Sequence, residues 1–204
     1  MKPGLSVHFM VLNPPLDRMA ALVEYLSIVA NEFVIVDTGS SPVTTQTMQD
    51  WPKVKVIHEP FVDFATTRNK GLALHQYEWT LGVDPDELPS FAMMQHIAWA
   101  IGDLGRKRFP AAKGWLYLTK NFWGGVLGPH MDYHWHARLW KTESGKLYRP
   151  VHELLAIDGK HETQTRGTNI LPKAPPKAYL IHSKSEVEIE QADKLYATLG
   201  QVSR

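Results

Sequence analysis

Four short apolar runs, over residues 5–12, 33–36, 54–57 and 79–83, are separated by stretches too long for hairpin turns. That alternation constrains the fold more than any other feature of the chain. After the first run, Leu16, Met19, Ala20, Val23, Leu26 and Ala30 recur at three- and four-residue spacing, which predicts an amphipathic helix. A second helix is expected after the loop at 38–42, running to Trp51, and a third over about 65–77. Strands alternating with helices imply parallel pairing, because parallel strands need long crossovers, and the crossover helices then cover both faces. The fold class is α/β, with a central, mostly parallel sheet flanked by helices.

Beyond that unit, a helix is expected over 90–104, where Phe91, Met94, Ile97, Ala98, Ile101 and Leu104 keep core spacing. Strands are expected over 114–121, 133–140 and 179–182, and a last helix over 186–199. Lys173-Ala174-Pro175-Pro176-Lys177 resembles a linker. A chain of 204 residues is one domain in size, here 1–204 with a first half over 1–104 and a second over 105–204. Zero cysteines exclude a disulfide scaffold. Lys+Arg 22 against Asp+Glu 21, without a basic stripe, argues against nucleic acid as a partner. The apolar start is cut by Asn13-Pro14-Pro15, too early for a leader peptide or a membrane span, so a cytoplasmic location is expected.

The chemistry gathers where strands end on acids. Asp37 closes the second apolar run, and Asp84 and Asp86 end or follow the fourth. Ligands of an open α/β sheet bind outside the carboxyl ends of its strands, so these side chains share one edge. Carboxylates ~4 Å apart repel by about 4 kcal/mol at an effective dielectric of 20, and such an edge calls for a cation. An all-oxygen site with open positions suits magnesium or manganese bridging a phosphate, and Arg68 adds a fixed positive charge for the same anion. Neither GxGxxG nor GxxxxGK[ST] is present, so metal and side chains must hold the phosphates.

Three segments in order and spacing, Phe33-Val34-Ile35-Val36-Asp37-Thr38-Gly39-Ser40-Ser41, Asp63-Phe64-Ala65-Thr66-Thr67-Arg68-Asn69 and Trp79-Thr80-Leu81-Gly82-Val83-Asp84-Pro85-Asp86-Glu87, resemble the family 2 glycosyltransferases, of bacterial or large-DNA-virus type. The likeness covers about the first 90 residues, with echoes in Arg138-Leu139-Trp140, Val151-His152-Glu153 and Tyr179-Leu180-Ile181-His182. It implies the GT-A (nucleotide-diphospho-sugar transferase) fold. It further implies that Asp37 and Arg68 hold the nucleotide, with Met10 and Val11 lining the base pocket. Asp84-Pro85-Asp86 looks like the DxD motif, its first acid facing the ribose and its second binding Mn2+ (or Mg2+), with His182 as a late metal ligand. The family has Lys-Asn-Glu after its first strand, where this chain has Leu12-Asn13-Pro14-Pro15. The implied reaction moves a sugar, with inversion, from a nucleotide-diphosphate donor, by default a UDP-sugar, to a hydroxyl of a glycan or glycoprotein. If the chain is viral, the compartment is the host cytoplasm.

Inversion needs a carboxylate base on the acceptor side. Glu153 is the first candidate and Asp132 the reserve, while Trp123-Gly124-Gly125 is a candidate aromatic loop against the sugar. Rival readings remain. His130, Asp132, His134 and His136 lie close enough in sequence for a zinc metallohydrolase, with the last three on one side of a strand. A sugar nucleotidyltransferase shares acidic strand ends and a metal, and a sugar-binding module without turnover needs no base.

Overall fold

The computed structural model describes residues 1–123, 126–127, 134–150 and 153–184. Gly124, Gly125, His130, Asp132, Val151, His152 and the helix expected over 186–199 lie outside the described residues, as do the side chains of Trp123 and His134.

The first half alternates as its apolar runs require: β1 (Lys2–Val11), α1 (Leu16–Leu26), β2 (Glu32–Asp37), α2 (Pro42–Gln49), β3 (Val54–His58), α3 (Phe64–Leu72) and β4 (Tyr77–Gly82). The short strand β5 (Glu87–Pro89) follows, then α4 (Phe91–Ile101) and α5 (Asp103–Arg108). The second half supplies β6 (Gly114–Trp123), β7 (Val126–Leu127), β8 (His134–Lys141), β9 (Gly145–Tyr148), β10 (Leu154–Ile157), β11 (Lys160–His161) and β12 (Tyr179–Lys184).

Nine strands form one sheet in the order β3-β2-β1-β4-β8-β6-β12-β5, with β7 paired to β6. The pairings β1–β2, β2–β3, β1–β4 and β6–β12 are parallel, while β8 is antiparallel to both β4 and β6. Six strands therefore share a direction, and β5, β7 and β8 oppose it. The expectation of a single α/β domain with a mostly parallel sheet holds. A second sheet, β11-β10-β9, was not expected from the sequence. Its strands are only two to four residues long, and although Leu155–Ile157 of β10 are buried, β9 and β11 are not, so they leave little hydrophobic period to read.

Strand alternation sorts the core. Leu5, Val7, Phe9 and Val11 of β1 face the larger apolar cluster, with Met19, Leu22 and Leu26 of α1 and Met93, Met94 and Ile97 of α4. The opposite face meets α3 and a smaller cluster around Leu72, Leu116, Trp140 and Leu155. There α3 lies so close to the sheet that a Cβ at Gly71 would meet Val36 and approach His8 Cε1 at 2.6 Å.

Two expectations are corrected here. The single helix over 90–104 is two helices, because Gly102 is extended (φ −81°, ψ 175°), ends α4 and starts α5. The segment expected as a linker is packed into the fold. Leu116 N–H donates to the Pro172 carbonyl (2.9 Å), Ala174 N–H donates to the Leu116 carbonyl (2.8 Å), and Ala174 is buried. Its prolines occupy positions flanking these bonds, where a missing N–H costs nothing.

Candidate active site

The loops after β1 and β2 are tied into one structure. Asp37, at the end of β2, has a fully buried side chain. Its Oδ1 accepts from the N–H groups of Gly39 (3.2 Å) and Ser40 (2.9 Å), and its Oδ2 accepts from the Thr45 hydroxyl (2.5 Å). Burial pushes this carboxyl up, but the hydrogen bonds from Thr45, Ser40 and Gly39 together outweigh it and hold Asp37 below the usual carboxylate range. Asn13, at φ 44°, donates its N–H to Ser40 Oγ (2.7 Å) and accepts from the Ser41 N–H (2.9 Å). Asparagine tolerates that left-handed conformation, so Leu12-Asn13-Pro14-Pro15 makes a defined turn. The Val11 carbonyl accepts from both the N–H and the hydroxyl of Thr38. Val11's side chain is in the core, Met10 is half-buried on the other face, and the His58 ring stands exposed 3.6 Å from Asp37.

Between Gly82 and Glu87 the chain leaves β4 and crosses to β5 at the far edge of the sheet, laying its acids across intervening strand ends. Glu87 closes this turn. Its N–H donates to the Asp84 carbonyl (2.9 Å), and its Oε2 accepts from the Asp84 N–H (3.0 Å). The other carboxylate oxygen pairs with Arg138. Arg138 reaches it from a bulge: Trp115 faces Leu139 and Leu116 faces Ala137, so Arg138 has no partner on β6 and departs from the strand's alternation.

Arg68 sits one turn inside α3, whose N-cap Asp63 accepts from the Thr66 N–H (2.7 Å). Its guanidinium pairs with Asp84 and lies 2.7 Å, through Nε, from Glu153 Oε1. The neighbouring Asn69 donates to the Leu147 carbonyl (2.7 Å) and accepts from the Leu147 N–H (3.0 Å), binding β9 to α3. Phe64 N–H adds a bond to the Pro150 carbonyl (3.0 Å). Together these fix the approach of β10, at whose start Glu153 stands.

Register brings the last pair together. Glu87 and His182 are partners in the antiparallel β5–β12 ladder, and Ser183 N–H donates to the Asp86 carbonyl (3.2 Å). His182 Nε2 then lies 3.0 Å from Asp86 Oδ2, and Nδ1 lies 2.9 Å from Asn121 Oδ1 on β6. Arg68, Asp84, Asp86, Glu153 and His182 thus meet in one network. Among the described residues no contact joins Asp37 to it. Glu87, Arg138 and Asn69 complete the arrangement, and the sequence reading assigned them no role.

Charge dominates this network. Asp84, Asp86, Glu87 and Glu153 set four carboxylates against the two guanidiniums of Arg68 and Arg138, and −4 + 2 leaves two negative charges when all are ionised. Burial pushes Asp84 up, but Arg68 and then Arg138 override it and hold Asp84 far below the carboxylate range. Burial dominates at Glu87 and raises it despite Arg138. Burial opposes the Arg68 charge too, yet the negative charges of Asp84 and Glu153 outweigh it and keep the guanidinium protonated more firmly than in water.

With all four carboxylates ionised and His182 neutral, one divalent cation would neutralise that excess. The Asp86 carboxylate suits manganese or magnesium, and the His182 imidazole beside it favours manganese of the two, with other positions left to phosphate oxygens and water. Among the described residues no group of three or more His, Asp or Glu is placed to hold a metal. The donor set therefore fits an ion shared with a phosphate, not a closed structural site. Of the histidine cluster considered for zinc, only His136 has a described side chain, and its register partner is Tyr117.

No family model matches the chain, and no curated protein matches it in sequence. Solved structures do. The crystal structure of S. aureus TarS 1–349 matches with a TM-score of 0.60 and 15% identity, over 97% of this chain and 65% of that one. TarS 1–349 in complex with UDP-GlcNAc matches with a TM-score of 0.65 and 17% identity, over 98% and 64%. The complex with UDP gives 0.61 and 16%, over 97% and 65%. This chain spans a little under two thirds of those crystallised chains. At such identity the likeness is one of fold alone.

Proposed function

We propose that the chain is a metal-dependent glycosyltransferase that moves a sugar, with inversion, from a UDP-sugar to a hydroxyl of a glycan or glycoprotein. The observation that carries this reading is the Asp86–His182 pair at 3.0 Å, beside an acid network two negative charges in excess. The fold shared with a protein crystallised with UDP-GlcNAc supports the donor class.

In this reading the loop folded by Asp37, with Met10 and the Val11 backbone, receives the base and ribose. Asp86 and His182 would hold Mn2+ (or Mg2+), which when bound supplies positive charge to the departing diphosphate. Glu153 takes the proton of the acceptor hydroxyl as that oxygen forms its bond to the anomeric carbon. The bond from that carbon to the diphosphate oxygen breaks, and its electron pair leaves with UDP. Arg68 holds Glu153 and Asp84 in fixed relation during this step. Asp132 is the second candidate for the base and Trp123 a candidate wall for the sugar. The compartment proposed is the cytoplasm. Among the described residues no helix is long and apolar enough to cross a membrane.

Thermal unfolding in UDP-sugars, with and without Mn2+, tests this. A ligand at a hundred times its Kd stabilises by about 2.7 kcal/mol, on the order of 5–10 °C for a chain of this size. The shift is expected with Mn2+ and UDP-GlcNAc or another UDP-sugar, and Asp86→Ala should remove the part that depends on Mn2+. A flat response to UDP and every UDP-sugar tried in Mn2+ would overturn the reading.

A further inference from the structure

We propose that Asn121 is the positioning residue that sets His182 as a metal ligand. This rests on the metal-dependent reading above and adds a residue that neither the DxD resemblance nor the acid cluster identifies.

Asn121 and His182 are register partners on the parallel strands β6 and β12, so their side chains leave the sheet together on one face. Asn121 Oδ1 faces His182 Nδ1 at 2.9 Å. An amide oxygen can only accept, so the hydrogen of the neutral ring belongs on Nδ1. The lone pair is then on Nε2, the atom 3.0 Å from Asp86 Oδ2. Asn121 thus does two things. It selects the tautomer whose free nitrogen points at the carboxylate, and it stops the ring from turning that nitrogen away. A lone pair facing a carboxylate oxygen at this distance is relieved by a proton on Nε2, giving an ion pair, or by a metal cation lying against both atoms, and the tautomer set by Asn121 suits the second. Ligating histidines usually donate their second ring N–H to a protein oxygen, and losing that partner typically costs 10–100-fold in metal affinity.

The test measures Mn2+ affinity in saturating UDP, following the electron paramagnetic resonance signal of free Mn2+, for the wild type, Asn121→Ala and Asn121→Asp. Asn121→Ala is expected to weaken Mn2+ about 10–100-fold. Asn121→Asp, whose carboxylate still accepts from Nδ1–H, is expected to stay within a few-fold of the wild type. A purely structural role for Asn121 would not produce that split. If Asn121→Ala does not fold, Asn121→Leu, similar in volume and without an acceptor, replaces it under the same expectation. Wild-type Mn2+ affinity in the Ala or Leu variant, or an Asp variant as weak as Ala, would overturn the role of Asn121. A wild-type protein that takes up no Mn2+ with UDP would instead remove the metal reading beneath it.

Discussion

Arg68 is shared. One guanidinium, 12% exposed, serves Asp84 at the end of β4 and Glu153 at the start of β10. The guanidinium holds Asp84 ionised and orients Glu153 as well, and a planar fork does this with geometry that lysine lacks. Glu153 is therefore held in a fixed orientation, as a base requires. Glu153→Gln keeps the shape and removes the proton acceptor. It is expected to leave UDP-sugar affinity by calorimetry near the wild-type value and to lower kcat by about 10²–10⁴. Near-normal turnover would pass the role to Asp132. At this scale the sequence pointed to Asp84, Asp86 and Glu153, which the structure brings into one network, and also to Asp37, which it places in a separate loop. Each stands in a stretch that resembles the family's motifs. Arg138 was unreadable as a partner, since its direction comes from a bulge that exists only once β6 and β8 are in register.

The element that organises the site is α3. Its Arg68 reaches the acid turn, its Asn69 binds both polar groups of Leu147, and its first N–H holds Pro150. Asn69→Ala removes two hydrogen bonds of about 1 kcal/mol each, so a loss of about 1–3 kcal/mol is expected in denaturant unfolding. Because β9 leads into Glu153, kcat should fall while binding of UDP changes little. Equal losses in both would mean that Asn69 supports the fold alone. The parallel unit β1 to β4 was legible because the runs of β1, β2 and β4 are buried on both faces, while the edge strand β3 keeps its apolar alternation, and amphipathic spacing separates them. The β9–β11 sheet was not, since its strands are stabilised by Asn69 and by long-range packing of Leu155 and Ile157. The break at Gly102 was masked by apolar spacing that continues through it.

For the whole molecule, buried histidines set the response to acid. His75 and His96 are both pushed down to about 4 by burial, and His8, buried with no partner for either nitrogen among the described residues, is lowered further by burial, His75 and Arg68. In each the folded state disfavours the proton relative to the unfolded chain near 6.5. The unfolded chain therefore binds more protons between pH 6.5 and 4, and stability falls as pH falls through that window. His75 and His96 each account for about 3 kcal/mol across it. The unfolding temperature should be level above pH 7 and drop steeply towards pH 4, and His96→Phe should shallow the drop. A level profile down to pH 4 would mean that these rings are hydrated.

The insertion of β8 between β4 and β6 bears on how the protein comes into being. Asp86 and His182 lie 96 residues apart in the chain and meet only once β12 has docked beside β6. During synthesis, the half that carries the acids emerges first with the β4 edge bare. On the proposed reading, Asp86 and His182 could hold an ion together only after β12 has left the ribosome and docked, and until then the open edge is the segment that a chaperone would need to shield.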